Sequence, residues 1–274
     1  MIVGDREFNF SRGCHVMGIL NVTPDSFSDG GRFLDPQAAL DHALKMQEEG
    51  ADFVDVGAES TRPGSRSISE AEERERLLPI LEKVVAGLKI PVSIDTQKPR
   101  IAEWAVAVGA SMINDVSALE NDGMAEVAAR YGVPVVLMHK KGEPLTMQES
   151  PSYEDVLDEV RAYLQSRMRF AVERGVAREK ILVDPGLGFG KRFEDNLTLL
   201  RSLPELQALR APVVVGASRK SFLRKIFGED ERSLLTGSVA AAVLAASRGA
   251  AILRVHDVAA TRAAIRLAVP DPFL

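Results

Sequence analysis

Residues 48–57 read EEGADFVDVG and residues 107–116 read AVGASMINDV. Each runs from a helix end through Gly-Ala into a short apolar strand with an acidic residue near its close. One β/α unit is therefore met twice, and it can be followed outward in both directions. Short runs rich in Val, Ile and Leu predict strands at 16–20, 53–57, 92–95, 112–115, 135–138, 181–184, 213–216 and 252–255. They do not alternate apolar with polar residues, which is the pattern of strands buried on both faces of a parallel sheet.

Between the strands, helical spacing covers 37–49, 69–88, 99–108, 123–131, 154–175, 196–209, 233–248 and 258–268. Pro36 sits near a first turn, Gly50 and Gly175 follow last turns, and Ser69 with Glu72 three residues on resembles a capping box. Eight right-handed β/α units close into a barrel more naturally than they form an open, doubly wound sheet, the alternative arrangement. The fold class is read as α/β, a single (β/α)8 TIM barrel spanning 1–274. The segment before Val16 is spare to the eight units and is expected to form a short extension covering the barrel bottom.

The 274 residues match the usual size of one such barrel. Lys and Arg number 34 against 39 Asp and Glu, a net charge of −5 without any long basic block. Nucleic acid is therefore not an expected partner, and any anion must be caught by local groups. The one cysteine, Cys14, excludes an internal disulfide and suits a reducing cytoplasm. The charges at Asp5, Arg6 and Glu7 precede any signal-like apolar run, and no stretch approaches the roughly 18 to 20 apolar residues of a membrane span. A cytoplasmic, untargeted protein is expected.

Function is expected at the strand ends, which in this fold share one mouth. After the first strand, NVTPDSFSDGGRF (21–33) is a long polar loop rooted at Asn21; after the second, AESTRPGSR (58–66) offers Thr61, Arg62, Ser65 and Arg66 to oxyanions. Asp95, Asn114-Asp115 and Asp184 follow apolar runs that would aim them at the mouth, the lesser alternative for Asp95 being a cap on the next helix. Two carboxylates and an amide suit a ligand edge rich in N–H donors, such as a fused nitrogen heterocycle. The four histidines and one cysteine offer no spaced cluster of the zinc type. Arg254 and His256 fall on the same side of the last strand, and with Ser218, Arg219 and Lys220 after the seventh they suggest an anion site. The run GLGFG (186–190) departs from a dinucleotide fingerprint, and His139, Lys140 and Lys141 read as solvated or pyrophosphate-proximal charges.

Taken in order, MGILNVTPDSFSDGG (17–31), GADFVDVGAESTRPGS (50–65), PVSIDT (91–96), INDVSA (113–118), LMH (137–139), DPGLGFGK (184–191), GASRKSFL (216–223) and RVHDV (254–258) resemble the dihydropteroate synthases, a pterin-binding TIM-barrel family. The resemblance covers Met17 to Val258. It implies condensation of 6-hydroxymethyl-7,8-dihydropterin pyrophosphate with 4-aminobenzoate, giving 7,8-dihydropteroate and pyrophosphate in folate biosynthesis, with Mg²⁺ as cofactor, sensitivity to sulfonamides and a homodimer. Carried over by motif, Asp95, Asn114, Asp184, Lys220, Met138, Phe189, Gly216 and Arg254 would meet the pterin, with Asp95, Lys220 and Asn114 carrying the chemistry. Asn21, Thr61, Arg62, Arg254 and His256 would hold pyrophosphate, Asn21 also meeting the metal. The 4-aminobenzoate carboxylate would meet Ser218 at the N-terminus of the following helix, with its ring near Phe27, Pro63, Phe189 and Lys220. The stretch HKKG (139–142) departs from the His-Met-Gln-Gly more usual in the family.

The implied chemistry is C–O cleavage at the pterin methylene before the neutral arylamine attacks. Two rivals share the barrel. A methyltetrahydrofolate corrinoid methyltransferase would have no use for SRKSF or STRPGS, and a catalytically silent pterin-binding homologue would be expected to lack Asn21, Arg62 or Lys220.

Overall fold

Parallel strands buried on both faces must divide their side chains between an interior and a helical shell, because successive residues point to opposite sides. The computed structural model, which describes residues 1–22, 35–59, 67–143 and 145–269, shows that division. Its barrel strands are β3 (His15–Asn21), β4 (Phe53–Gly57), β5 (Val92–Asp95), β6 (Met112–Asp115), β7 (Val135–Met138), β8 (Ile181–Asp184), β9 (Val214–Val215) and β10 (Ile252–Val255). They lie side by side in the order β8-β7-β6-β5-β4-β3-β10-β9, every pair parallel. A parallel bridge between Val183 and Val213 joins β8 to the residue preceding β9 and closes the ring. Eight parallel strands with intervening helices make the expected barrel.

Met17, Phe53, Met112, Val136, Leu182, Val214 and Ile252 point inward, one from each strand except β5, and form a single apolar layer. Their sequence neighbours Val16, Val54, Ile113, Val135, Ile181, Val215 and Leu253 belong instead to the core beneath the helices. The inner layer is sealed from below by a hairpin of β1 (Ile2–Val3) and β2 (Arg6–Glu7), whose Val3 joins the layer together with Phe8. The Phe8 ring lies 4.4 Å from that of Phe53. The barrel is thus a plugged cylinder, open for chemistry only at the carboxyl ends of its strands.

The shell follows the sequence reading with three local differences. Helix α1 (Pro36–Glu48) and α2 (Glu70–Gly87) start where expected, but only half of the predicted capping box forms: Ser69 accepts from the Glu72 amide, while the Glu72 carboxylate pairs with Arg76 one turn on. After α3 (Pro99–Ala107), α4 (Met124–Tyr131) and α5 (Val156–Glu173), the helix expected at 196–209 is split into α6 (Phe193–Arg201) and α7 (Leu203–Leu206). Pro204 sits in the first turn of α7, where its absent N–H is harmless, and could not have continued α6. An additional helix, α8 (Ser221–Phe227), precedes α9 (Glu231–Ser247), from which Gly228 at φ +101° and the Asp230 cap divide it; α10 (Val258–Ile265) completes the shell.

Asp52 ties the start of β4 to β3 and to α10. It accepts from the Val16 amide at 2.7 Å and from the Arg262 guanidinium, which also donates to Gly50 O. Burial opposes its charge, but the neighbouring His15 and Arg262 outweigh burial and hold the carboxyl below its usual range. Asp52→Ala is expected to lose about 3 kcal/mol in urea unfolding, since a part-buried guanidinium loses its carboxylate and the buried Val16 amide loses its acceptor. A depressed carboxyl gives its full stabilisation above its unfolded value of 3.8 and loses it as pH falls through the lower folded value, so the deficit should shrink below about pH 3.8. An unchanged urea midpoint at neutral pH would refute this role.

Candidate active site

Two residues further along each strand, the same inward direction brings a different set of side chains above the apolar layer: Asp55 after Phe53, Asp95 after Ser93, Asn114 after Met112, Met138 after Val136, Asp184 after Leu182 and Arg254 after Ile252. The expected strand-end residues therefore converge. Asp95 does not cap a helix, because Lys98 occupies the N-cap position of α3. Asp115 points the other way and braces its own loop, accepting from Ser117 N, Ser117 Oγ and Leu119 N, and so supports left-handed backbone at Ala118 and Leu119.

At the centre, Arg254 donates through Nε to Asp55 Oδ2 at 2.6 Å and through its terminal nitrogen to Asp95 Oδ2 at 2.7 Å. Asn114 Nδ2 donates to the same Asp55 oxygen at 3.0 Å. Asp55 is fully buried and was not singled out from the sequence, although a lone carboxylate inside an apolar strand was the available signal. Burial pushes Asp95 up, Arg254 draws it back and Asp55 pushes it again, to about 7. Burial also raises Asp184, against the Gly186 amide that it accepts at 2.6 Å and against Lys220. The site floor is a row of acceptors around one permanent cation.

One wall is apolar. Val116, Met138, Met147 and Phe189 form a small cluster beside the carboxylates, and Lys220 Nζ lies 3.8 Å from the centre of the Phe189 ring. The glycines of GLGFG serve this wall: Gly186 and Gly190 are left-handed, and a Cβ on either would collide with the carbonyl of His139 or Lys141. The run is a packing device between two loops. The expectation of solvated charges at 139–141 holds for Lys141, which is exposed while pairing with Glu159 over the Tyr153 ring, but not for His139, which is buried against Lys191 Nζ at 3.0 Å.

The anion-facing residues divide. Asn21 stands half-buried at the end of β3, opposite Gly57, and His256 follows β10. His256 Nδ1 lies 3.0 Å from Ser218 Oγ. Ser218 is thus buried three residues ahead of α8, not at its N-terminus; the hydroxyl in the first turn belongs to Ser221. Arg219 turns away into a two-point pair with Asp257, at 2.7 and 3.1 Å. Gly216 borders Arg254. Phe27, Thr61, Arg62 and Pro63, with Ser65 and Arg66, lie outside the described residues. Next to them, Glu59 accepts from Ile68 N and from Lys98, which also donates to Glu73, so residues on both sides of 60–66 are anchored to one buried ion network.

The sequence profile of the family described as "Pterin binding enzyme" matches residues 17–256. The dihydropteroate synthase of Escherichia coli is 46% identical over 253 residues, covering 92% of this chain and 90% of that protein. The Yersinia pestis dihydropteroate synthase, solved in complex with a sulfonamide drug, superposes with a TM-score of 0.92 at 42% identity, over 98% of this chain and 97% of that one. The Xanthomonas albilineans enzyme, solved with 7,8-dihydropteroate, gives 0.86 at 44% identity over 95% and 94%.

The placement of Asp95 can be read directly in the ligand-free protein. In ¹³C-aspartate spectra, the resonance that disappears in Asp95→Asn is expected to titrate near 7; titration in the ordinary range near 3.8 would contradict the buried, carboxylate-flanked environment.

Proposed function

The chain belongs to the pterin-binding enzyme family, among the dihydropteroate synthases, and from this we propose that it condenses 6-hydroxymethyl-7,8-dihydropterin pyrophosphate with 4-aminobenzoate to give 7,8-dihydropteroate and pyrophosphate. The observation that carries the reading is the acceptor floor of Asp55, Asp95, Asn114 and Asp184 beneath the Phe189 wall. A pterin offers a flat ring for the wall and an edge of N–H donors for the carboxylates, which accept such donors strongly in a site of low dielectric. A corrinoid methyltransferase or a silent binding protein is not favoured, because the relatives compared are synthases over nearly their whole length.

The reaction begins with cleavage of the bond between the pterin methylene and the bridging oxygen, whose electron pair leaves with pyrophosphate. Positive charge left on the ring is stabilised by Asp95 in its ionised form, with Asn114 and Asp184 holding the ring in register. The nitrogen of 4-aminobenzoate, neutral at pH 7, then forms the new C–N bond and releases its proton afterwards, so no strong base is needed. Lys220, seated on the Phe189 ring, orients the pterin and the arylamine relative to each other. Thr61, Arg62, Arg254 and His256 attend the leaving group, Arg254 also completes the pterin floor, and Ser218 through His256 ties the pyrophosphate side to the aminobenzoate side. Ser221, in the first turn of α8, is better placed than Ser218 for the aminobenzoate carboxylate.

Among the described residues there is no group of three or more His, Cys, Asp or Glu side chains able to hold a metal. Mg²⁺ asks a protein for only one or two oxygens when phosphates and water fill the rest of its shell, and the Asn21 amide oxygen fits that demand. When bound, Mg²⁺ draws charge from the departing pyrophosphate.

Purified protein with Mg²⁺, the pterin pyrophosphate and labelled 4-aminobenzoate should form dihydropteroate, and a sulfonamide should block it. No product under these conditions would overturn the reading. With ¹⁸O at the bridging position, all label is expected in pyrophosphate, and Asp95→Asn should lower kcat about 100-fold. Full activity in that variant would remove Asp95 from the chemistry.

A further inference from the structure

Lys191 has no part in the reaction as described, yet it is one of the most deeply buried charged residues, 2% exposed. A lysine is seldom placed so deep, because desolvating an ammonium is costly unless its donors are satisfied. Its three N–H groups have three acceptors: His139 Nδ1 at 3.0 Å, Phe189 O at 3.1 Å and His139 O at 3.3 Å. Among the described residues no carboxylate lies within ion-pair distance of it. Burial pushes Lys191 down to about 7, with Asp184 and Asp195 opposing and Lys220 and Lys141 adding to the fall. His139 is pushed down to about 3, first by burial and then by Lys191, so its ring is neutral and Nδ1 can accept.

The geometry around Lys191 has one common object. Three successive carbonyls, of Gly188, Phe189 and Gly190, are each taken by a different side chain: Gln148 Nε2 at 2.6 Å, Lys191 Nζ at 3.1 Å and Tyr153 Oη at 2.6 Å. The backbone on both sides of Phe189 is thereby fixed, and with it the ring that carries Lys220 Nζ at 3.8 Å and packs with Met138. Of the three donors, Lys191 alone also hydrogen-bonds to His139, the residue that follows Met138 at the end of β7, while the Tyr153 ring only packs near it. It therefore binds the strand end supplying Met138 to the loop supplying Phe189.

We propose that Lys191, with His139 as its acceptor, is a positioning residue for the site: it sets the Phe189 ring, and through that ring Lys220, at the angle that receives the pterin and the arylamine. Lys191 touches neither substrate. Its effect on kcat/KM passes through Phe189, which separates it from a residue that merely keeps the fold together. The proposal rests on the synthase reading only for the choice of substrates.

A double-mutant cycle decides it. The wild type, K191M, F189A and K191M/F189A are compared by kcat and KM for 4-aminobenzoate and by urea unfolding. K191M is expected to lower kcat/KM about tenfold, mostly through KM, and the double variant to stay within about twofold of F189A alone. Losses that multiply would show that Lys191 acts elsewhere, and full activity in K191M would remove its role; either result overturns the proposal. If K191M does not fold, the cycle is run with K191Q, whose amide retains N–H donors, under the same criteria. Wild-type turnover tests the synthase reading separately, so failure of one is distinguishable from failure of the other.

Discussion

A guanidinium held between two carboxylates inside a closed barrel is the constraint on which the site depends. Arg254 can remain there only because Asp55 and Asp95 face it from β4 and β5, and they can remain only because it does. One cation between two anions leaves an excess negative charge in a medium that resists it, so one carboxyl is driven towards neutrality. The barrel thereby keeps a carboxylate whose charge responds strongly to whatever lies above it. The apolar layer below intensifies the effect, since Met17, Phe53 and Ile252 admit no water to screen it.

The fold was legible because burial on both faces erases alternation, and eight such runs leave little choice of architecture. What the runs do not encode is the length of each ladder. The predicted strand at 213–216 is reduced to Val214–Val215, since Val213 serves as the closing bridge and Gly216 already belongs to the mouth. Likewise α8 was hidden, because SFLRKIF is too short to display a helical period and follows directly on polar loop residues.

For the site, residues at strand ends were readable from position alone: Asp95, Asn114 and Asp184 converge as their spacing implied. Residues whose role depends on a partner distant in sequence were not. Asp55 and Arg254 are 199 positions apart, and nothing local to VDVG announces the pairing. Lys191 ends a glycine run that reads as loop, and its partner His139 stands in a stretch that reads as solvated charge; only the contact between them shows that both are interior. Ser218 was placed one helical turn too far along, because the sequence does not show where α8 begins.

The barrel is not equally strong around its circumference. Between β8 and β9 the ladder is a single bridge with the Val183 amide on Pro212 O, whereas β3 and β4 share five paired positions. That thin seam runs between Asp184, at the end of β8, and the loop after β9 that carries Lys220. A molecule gripped by both residues spans the weakest joint of the cylinder and acts as a clasp on it. Occupancy and mechanical closure then share one free energy: the tighter the grip, the harder the barrel is to open, by an amount that grows with the logarithm of ligand concentration over Kd.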